Sequence, residues 1–113
     1  MLWPSAAVNA VRTEPKLHRL LEIRKGVTAV IGSGGKTSLI AKLCRELPGT
    51  VMICTSTHIF PAEGLPLYTE RLETLPAEKI CVGTPVEHGK LAAPLQSFEE
   101  LAALADYVLV EAD

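Results

Sequence analysis

From Val27 to Ser38 the chain reads Val-Thr-Ala-Val-Ile-Gly-Ser-Gly-Gly-Lys-Thr-Ser. Residues 27–31 are apolar or β-branched and read as a buried strand. The glycines read as a tight turn, and helical periodicity begins at Lys36. The first N–H groups of a helix have no internal partners, and the helix dipole is positive there, so this junction favours an anion. Gly32, Gly34 and Gly35 tolerate positive φ and allow backbone to approach a phosphate closely. With Ser33 among them, their successive N–H groups can form an anion nest. Lys36 is placed to neutralise β and γ phosphates, Thr37 to put its hydroxyl on Mg²⁺, and Ser38 to reach an α-phosphate.

The spacing selects among phosphate-binding loops. The long P-loop, Gly-x-x-x-x-Gly-Lys-[Ser/Thr], would need glycine where Val30 stands. The dinucleotide fingerprint Gly-x-Gly-x-x-Gly fails at Thr37. The loop is the shorter Gly-x-x-Gly-Lys-Thr-Ser, which is similar to the P-loop of Mur-type peptide ligases and folylpolyglutamate synthases. Mononucleotide binding, ATP or GTP with Mg²⁺, is therefore expected over NAD binding.

Helical and strand patterns alternate along the rest of the chain. A short helix is expected from Thr13-Glu14-Pro15, carrying Leu17, Leu20 and Leu21 and ending at Lys25-Gly26. A second runs from 36 to 47 and stops at Pro48-Gly49. Further strands are expected at 50–55, 79–83 and 107–111, with a short helix at 70–75 and loops at 61–69 and 84–94. Ser97 and Glu100 form a capping-box signature ahead of a helix at 98–105. Apolar strands alternating with helices give an α/β fold with a parallel, P-loop NTPase-like sheet and flanking helices.

A length of 113 residues allows one domain, and 48% hydrophobic residues can fill a core. We expect residues 1–13 to be loosely ordered and 14–113 to be the N-terminal part of a nucleotide-binding domain. A net charge of −2 with no basic run argues against a nucleic-acid partner. No stretch nears the ~20 apolar residues of a membrane span. The segment 1–10 lacks the basic start of a signal peptide. Cys44, Cys54 and Cys81 have no Cys-x-x-Cys spacing and read as free core thiols in a reducing cytoplasm.

In parallel sheets ligands bind at the carboxyl ends of strands, and three groups fall there. The glycine loop is one. Thr55-Ser56-Thr57-His58 is the second, offering hydroxyls and an imidazole near a phosphate or a Mg²⁺-bound water; Thr55, Thr57 and His58 are the candidates. The third is the strand Tyr107-Val-Leu-Val-Glu111 followed by Ala112-Asp113, a Walker B-like pattern. Glu111 or Asp113 can hold Mg²⁺, and Glu111 can orient a nucleophile. Lys36 and Glu111 are the catalytic candidates. Lys90 reads as a solvated lysine within reach of a phosphate.

Residues 30–38, Cys54-Thr-Ser-Thr-His-Ile-Phe-Pro61, Gly89-Lys-Leu91 and Asp106-Tyr-Val-Leu-Val-Glu-Ala-Asp113 occur in that order. Together they resemble the selenium-dependent hydroxylase accessory proteins, bacterial proteins associated with maturation of selenium-dependent molybdenum hydroxylases. The resemblance runs from about residue 20 to the end. It implies a P-loop nucleotide-binding fold, a cytoplasmic setting, and a molybdenum hydroxylase or its maturation proteins as partners; it supplies no reaction. Members of that family are about twice as long, so we expect a sheet incomplete at the C-terminus, in a truncated chain of weak or no activity. Two other readings stand beside this one. The first is an ATP-dependent ligase or phosphotransferase like the Mur-type enzymes. The second is a non-catalytic nucleotide-binding protein or an inactive fragment.

Overall fold

Continuously apolar strands must bury both faces, and those at Val51–Thr55, Lys79–Val82 and Tyr107–Glu111 do so between helices on either side. The computed structural model describes residues 17–32 and 34–112. The elements are α1 (Leu17–Leu20), β1 (Gly26–Val30), α2 (Lys36–Glu46), β2 (Val51–Thr55), β3 (Leu67–Tyr68) and β4 (Lys79–Val82). After them come β5 (Thr84–Pro85), a 3-10 turn (Glu87–Gly89), β6 (Leu91–Ala92), α3 (Phe98–Ala102) and β7 (Tyr107–Glu111). Five strands form one parallel sheet in the order β1-β7-β2-β4-β3. The fold is the expected mixed α/β class. The strand expected to be buried at 27–31 is instead an edge of the sheet, β1, with only one strand neighbour, and Val27 and Ile31 are 45% and 66% exposed. The segment 1–13 and the helix-start signal at 13–15 lie outside the described residues.

Strand alternation divides the core in two. Val51, Ile53, Cys81, Tyr107 and Leu109 face Ile40, Leu43, Cys44 and Leu47 of α2 and its C-cap. Met52, Cys54, Ile80, Val82, Val108 and Val110 face the other way, against Leu101 and Ala105. α2 presents Ile40, Leu43, Cys44 and Leu47 at helical spacing, as the sequence pattern predicts. The Ser97–Glu100 capping box is present in full, but α3 ends at Ala102, short of residue 105.

Three local expectations change. α1 covers Leu17–Leu20 and the chain leaves it at once, with Glu22 at φ 55. The buried residue is His18, while Leu20 and Leu21 are 64% and 49% exposed. The His18 N–H donates to Glu46 Oε1 at 3.0 Å, and its Nδ1 lies 3.3 Å from the same oxygen. A specific polar tether thus overrides the leucine periodicity. No helix forms at 70–75, because the Gln96 amide clamps Leu72: its Oε1 accepts from Leu72 N–H at 2.8 Å and its Nε2 donates to Leu72 O at 2.9 Å. The expected loops at 61–69 and 84–94 contain strands: β3 in the first, and the antiparallel β5–β6 pair in the second.

Cys44, Cys54 and Cys81 are free and buried, as expected. Burial pushes all three thiols up, Cys54 to about 12. A thiol reagent at mildly alkaline pH should leave all three nearly unmodified in the folded chain and modify all three in denaturant; rapid reaction of the native chain would contradict this core.

The Glu100 carboxyl is held below its ordinary range, first by the Ser97 N–H and then by Arg71, whose Nη2 is 2.9 Å away. Its contribution to stability is present above the unfolded-state pKa and is lost as pH falls through the lower folded-state value. Glu100→Gln should therefore flatten the loss of stability below the ordinary glutamate range, as read from acid-titrated urea melts.

Candidate functional site

Strands β1, β7 and β2 are each five residues long and pair in register, so Val30, Glu111 and Thr55 lie level at their carboxyl ends. The register brings the three candidate groups together. The glycine loop leaves β1 beside Glu111. The polar run 55–58 leaves β2 on the other side of Glu111.

The loop backbone requires its glycines. Gly32, Gly34 and Gly35 have φ of 118, 75 and 76, where an L side chain is strained. Gly35 is the N-cap of α2 and has no side chain to cap it, so the helix N-terminus is open to an outside acceptor. Lys36 Nζ donates to Ala112 O at 2.8 Å, tying the start of α2 to the end of β7. Thr37 Oγ1 lies 3.4 Å from Glu111 Oε1. Ser38 is exposed on the next step of the helix. Ser33 and Asp113 lie outside the described residues.

Glu111 divides its roles between backbone and side chain. Its carbonyl accepts from Thr55 Oγ1 at 2.8 Å and from the Ser56 N–H at 3.1 Å. The Thr55 hydroxyl also accepts from the Thr57 N–H at 2.9 Å and sits 3.2 Å from Thr57 Oγ1. Buried Thr55 thus serves as a hinge pin of the turn, and the hydroxyl of half-buried Thr57 lies next to it. His58 is exposed and makes no side-chain hydrogen bond or ion pair among the described residues. Lys90 is exposed, with Nζ 5.3 Å from the centre of the Phe60 ring.

Among the described residues no group of three or more His, Cys, Asp or Glu could hold a metal. The Thr37 and Glu111 oxygens nevertheless suit Mg²⁺, which is usually bound by one or two protein oxygens plus waters and substrate phosphates.

A cleft of about 810 Å³ opens beside Thr37, Ser38 and Glu111, between α2 and the segment 58–65. It has no counterpart among the sequence expectations. Its one sequence signal is the apolar Ile59-Phe60-Pro61 directly after the polar run. Ile59 exchanges two backbone hydrogen bonds with Leu91, at 2.9 and 2.7 Å. That contact brings the β5–β6 hairpin and Lys90 to the cleft mouth.

The class defined by these features is a parallel α/β protein with flanking helices, compatible with a P-loop-like fold. The chain belongs to the YqeC protein family, whose model matches residues 28–113. No curated protein and no solved structure matches it significantly. No helix among the described residues is long and apolar enough to cross a membrane.

Thr55→Val keeps the shape but removes the hydroxyl that serves Glu111 O and the Thr57 N–H. The Glu111 carbonyl keeps the Ser56 N–H, but the Thr57 N–H loses its acceptor, which should cost about 1–3 kcal/mol. Thr55→Ser should recover most of this in urea unfolding; equal loss in both variants would contradict the hydrogen-bond account.

Proposed function

We propose that the chain binds a nucleoside triphosphate, ATP or GTP, with Mg²⁺ at the carboxyl ends of β1, β7 and β2. We place it as a cytoplasmic accessory protein in the maturation of selenium-dependent molybdenum hydroxylases. One observation carries the nucleotide reading: the register sets the open N-terminus of α2, the Thr37 hydroxyl and the Glu111 carboxylate around one point. Membership of the YqeC family is compatible with the maturation role and agrees with the resemblance read from the sequence.

The glycine-loop amides and Lys36 hold the phosphates. Thr37 and Glu111 hold Mg²⁺, which when bound offsets phosphate charge, and Asp113 is the further carboxylate candidate. Thr55 fixes the turn that carries Thr57 and His58 toward the terminal phosphate. Ser33 and Ser38 complete the contacts expected of the loop. The reading that makes the chain a ligase or phosphotransferase gains support from the cleft beside Glu111, since such chemistry needs room for a second substrate.

Thermal unfolding with and without Mg-ATP or Mg-GTP tests the proposal. A ligand bound only by the folded state at a hundredfold excess over Kd adds about 2.7 kcal/mol. One or both nucleotides should raise Tm in the parent chain and not in Lys36→Ala. Glu111→Gln should remove most of the Mg²⁺ dependence. A cooperative transition indifferent to both nucleotides overturns the reading.

A further inference from the structure

The cleft is large, walled by apolar groups and bordered at one end by the candidate phosphate site. Its 810 Å³ falls within the range of about 300–1,000 Å³ typical of small-molecule sites. Ile40, Cys44, Ile59 and Leu65 line its interior. Because α2 runs from Lys36 at the carboxyl ends of the strands back toward their amino ends, the cleft has two distinct ends. Thr37, Ser38 and Glu111 mark the mouth, and Arg45 and Lys79 lie some two helical turns away, about 12 Å at 1.5 Å per residue.

Charge is distributed unevenly between those ends. At the far end Lys79 Nζ is consumed by carbonyls of the α2 C-terminus, those of Cys44, Arg45 and Leu47, the last at 3.0 Å. Glu63, in the segment facing α2, adds a negative charge to the wall. At the mouth Lys90 and His58 face outward with no acidic partner among the described residues. The ammonium of Lys90 rests against the Phe60 ring. Two carboxylates lie on this side: the proposed Mg²⁺ occupies Glu111, while Glu87, which lines a small hollow with His58 and Lys90, forms no ion pair with either among the described residues. An incoming molecule therefore meets cationic groups at the mouth and apolar walls within.

We propose that this cleft binds a co-substrate beside the nucleotide, a small organic oxyanion whose anionic group is held by Lys90 and His58 and whose apolar body lies against Ile40 and Ile59. The assignment rests on the nucleotide reading, because the co-substrate's anionic end faces the Thr37–Glu111 side of that site. Carboxylate and phosphate share the required chemistry, and the probes separate them.

The probes are 1-naphthoate, 1-naphthyl phosphate and neutral 1-naphthalenemethanol, titrated into the isotope-labelled full chain with and without Mg-ATP and followed by backbone amide shifts. At least one anion should perturb amides in 40–45 and 58–65. It should bind about tenfold more tightly than the neutral probe, the scale of one charge-assisted hydrogen bond. Lys90→Ala should remove most of that advantage, and Ala41→Phe, which fills the cleft, should weaken all three probes. The stronger anion identifies the oxyanion class.

Equal binding of the neutral probe overturns the proposal. So do shifts confined to 32–38, which would place the anion in the phosphate site, and an advantage lost in Arg45→Ala but kept in Lys90→Ala, which would reverse the orientation. Mg-ATP binding is measured on the same samples, with Lys36→Ala as the control that should lose nucleotide and keep the naphthyl anion. Nucleotide binding without a cleft signal overturns the cleft alone. A cleft signal with no nucleotide binding overturns the nucleotide reading, and with it the co-substrate role.

Discussion

Asp106 and Thr50 lock the amino ends of three strands, and the geometry at the opposite ends follows from that lock. The Thr50 N–H donates to Asp106 Oδ2 at 3.2 Å, and the Asp106 N–H donates to Thr50 Oγ1 at 2.7 Å. The Gly26 N–H donates to Asp106 O at 2.8 Å, and the Tyr107 N–H to Thr50 O at 2.9 Å. These bonds start β1, β7 and β2 at one level. Three strands of equal length that start level also end level, which is why Val30, Glu111 and Thr55 are neighbours. The fit is close: a Cβ on Gly49 would collide with the Asp106 carboxylate. A slip of one residue would turn every side chain of a strand to the other face and carry Glu111 out of the group.

The polar end depends equally on separating backbone from side-chain work. The Glu111 carbonyl takes the Thr55 and Ser56 donors, and the carboxylate is left facing Thr37. Lys36 is held by Ala112 O and the Ala112 N–H by Val30 O, so the loop is anchored on both sides of its turn. For the phosphate of the proposed nucleotide such a site would offer donors already positioned, with little reorganisation needed.

What was readable in the sequence was local. The run Val27 to Ser38 carries strand, turn and helix signals within a few residues of each other. Ser97 and Glu100 announce a cap that needs only its own turn. The level of Glu111 with Thr55 is not local, since it depends on Asp106 meeting Thr50 across 56 positions. Gln96 likewise silences a helix signal at 70–75 from 24 positions away. His18 displaces Leu20 and Leu21 from the interior because Glu46 offers it a partner. β3 and the β5–β6 pair are two-residue strands, too short to show periodicity. The cleft was unreadable for the same reason, as its walls come from α2, the 58–65 segment and a hairpin that meet only in the fold.

α2 joins these levels of organisation. One face buries Leu43 and Leu47 against the sheet, its N-terminus opens toward the glycine loop, and its flank at Ile40 and Cys44 serves both core and cleft. Its far end is fixed by Lys79 on the carbonyls and by the contact of Glu46 with His18. Partial desolvation would raise the Glu46 carboxyl, but the hydrogen bonds from His18 and then Lys42 outweigh it and hold the group below its ordinary range. A helix held at its far end and packed along one face has little freedom to tilt. The separation between the Thr37 hydroxyl and the cleft interior is therefore set by the helix itself. A ligand spanning both, as proposed, would have to fit a fixed length, so any selection by size would come from the same element that follows the glycine-rich turn.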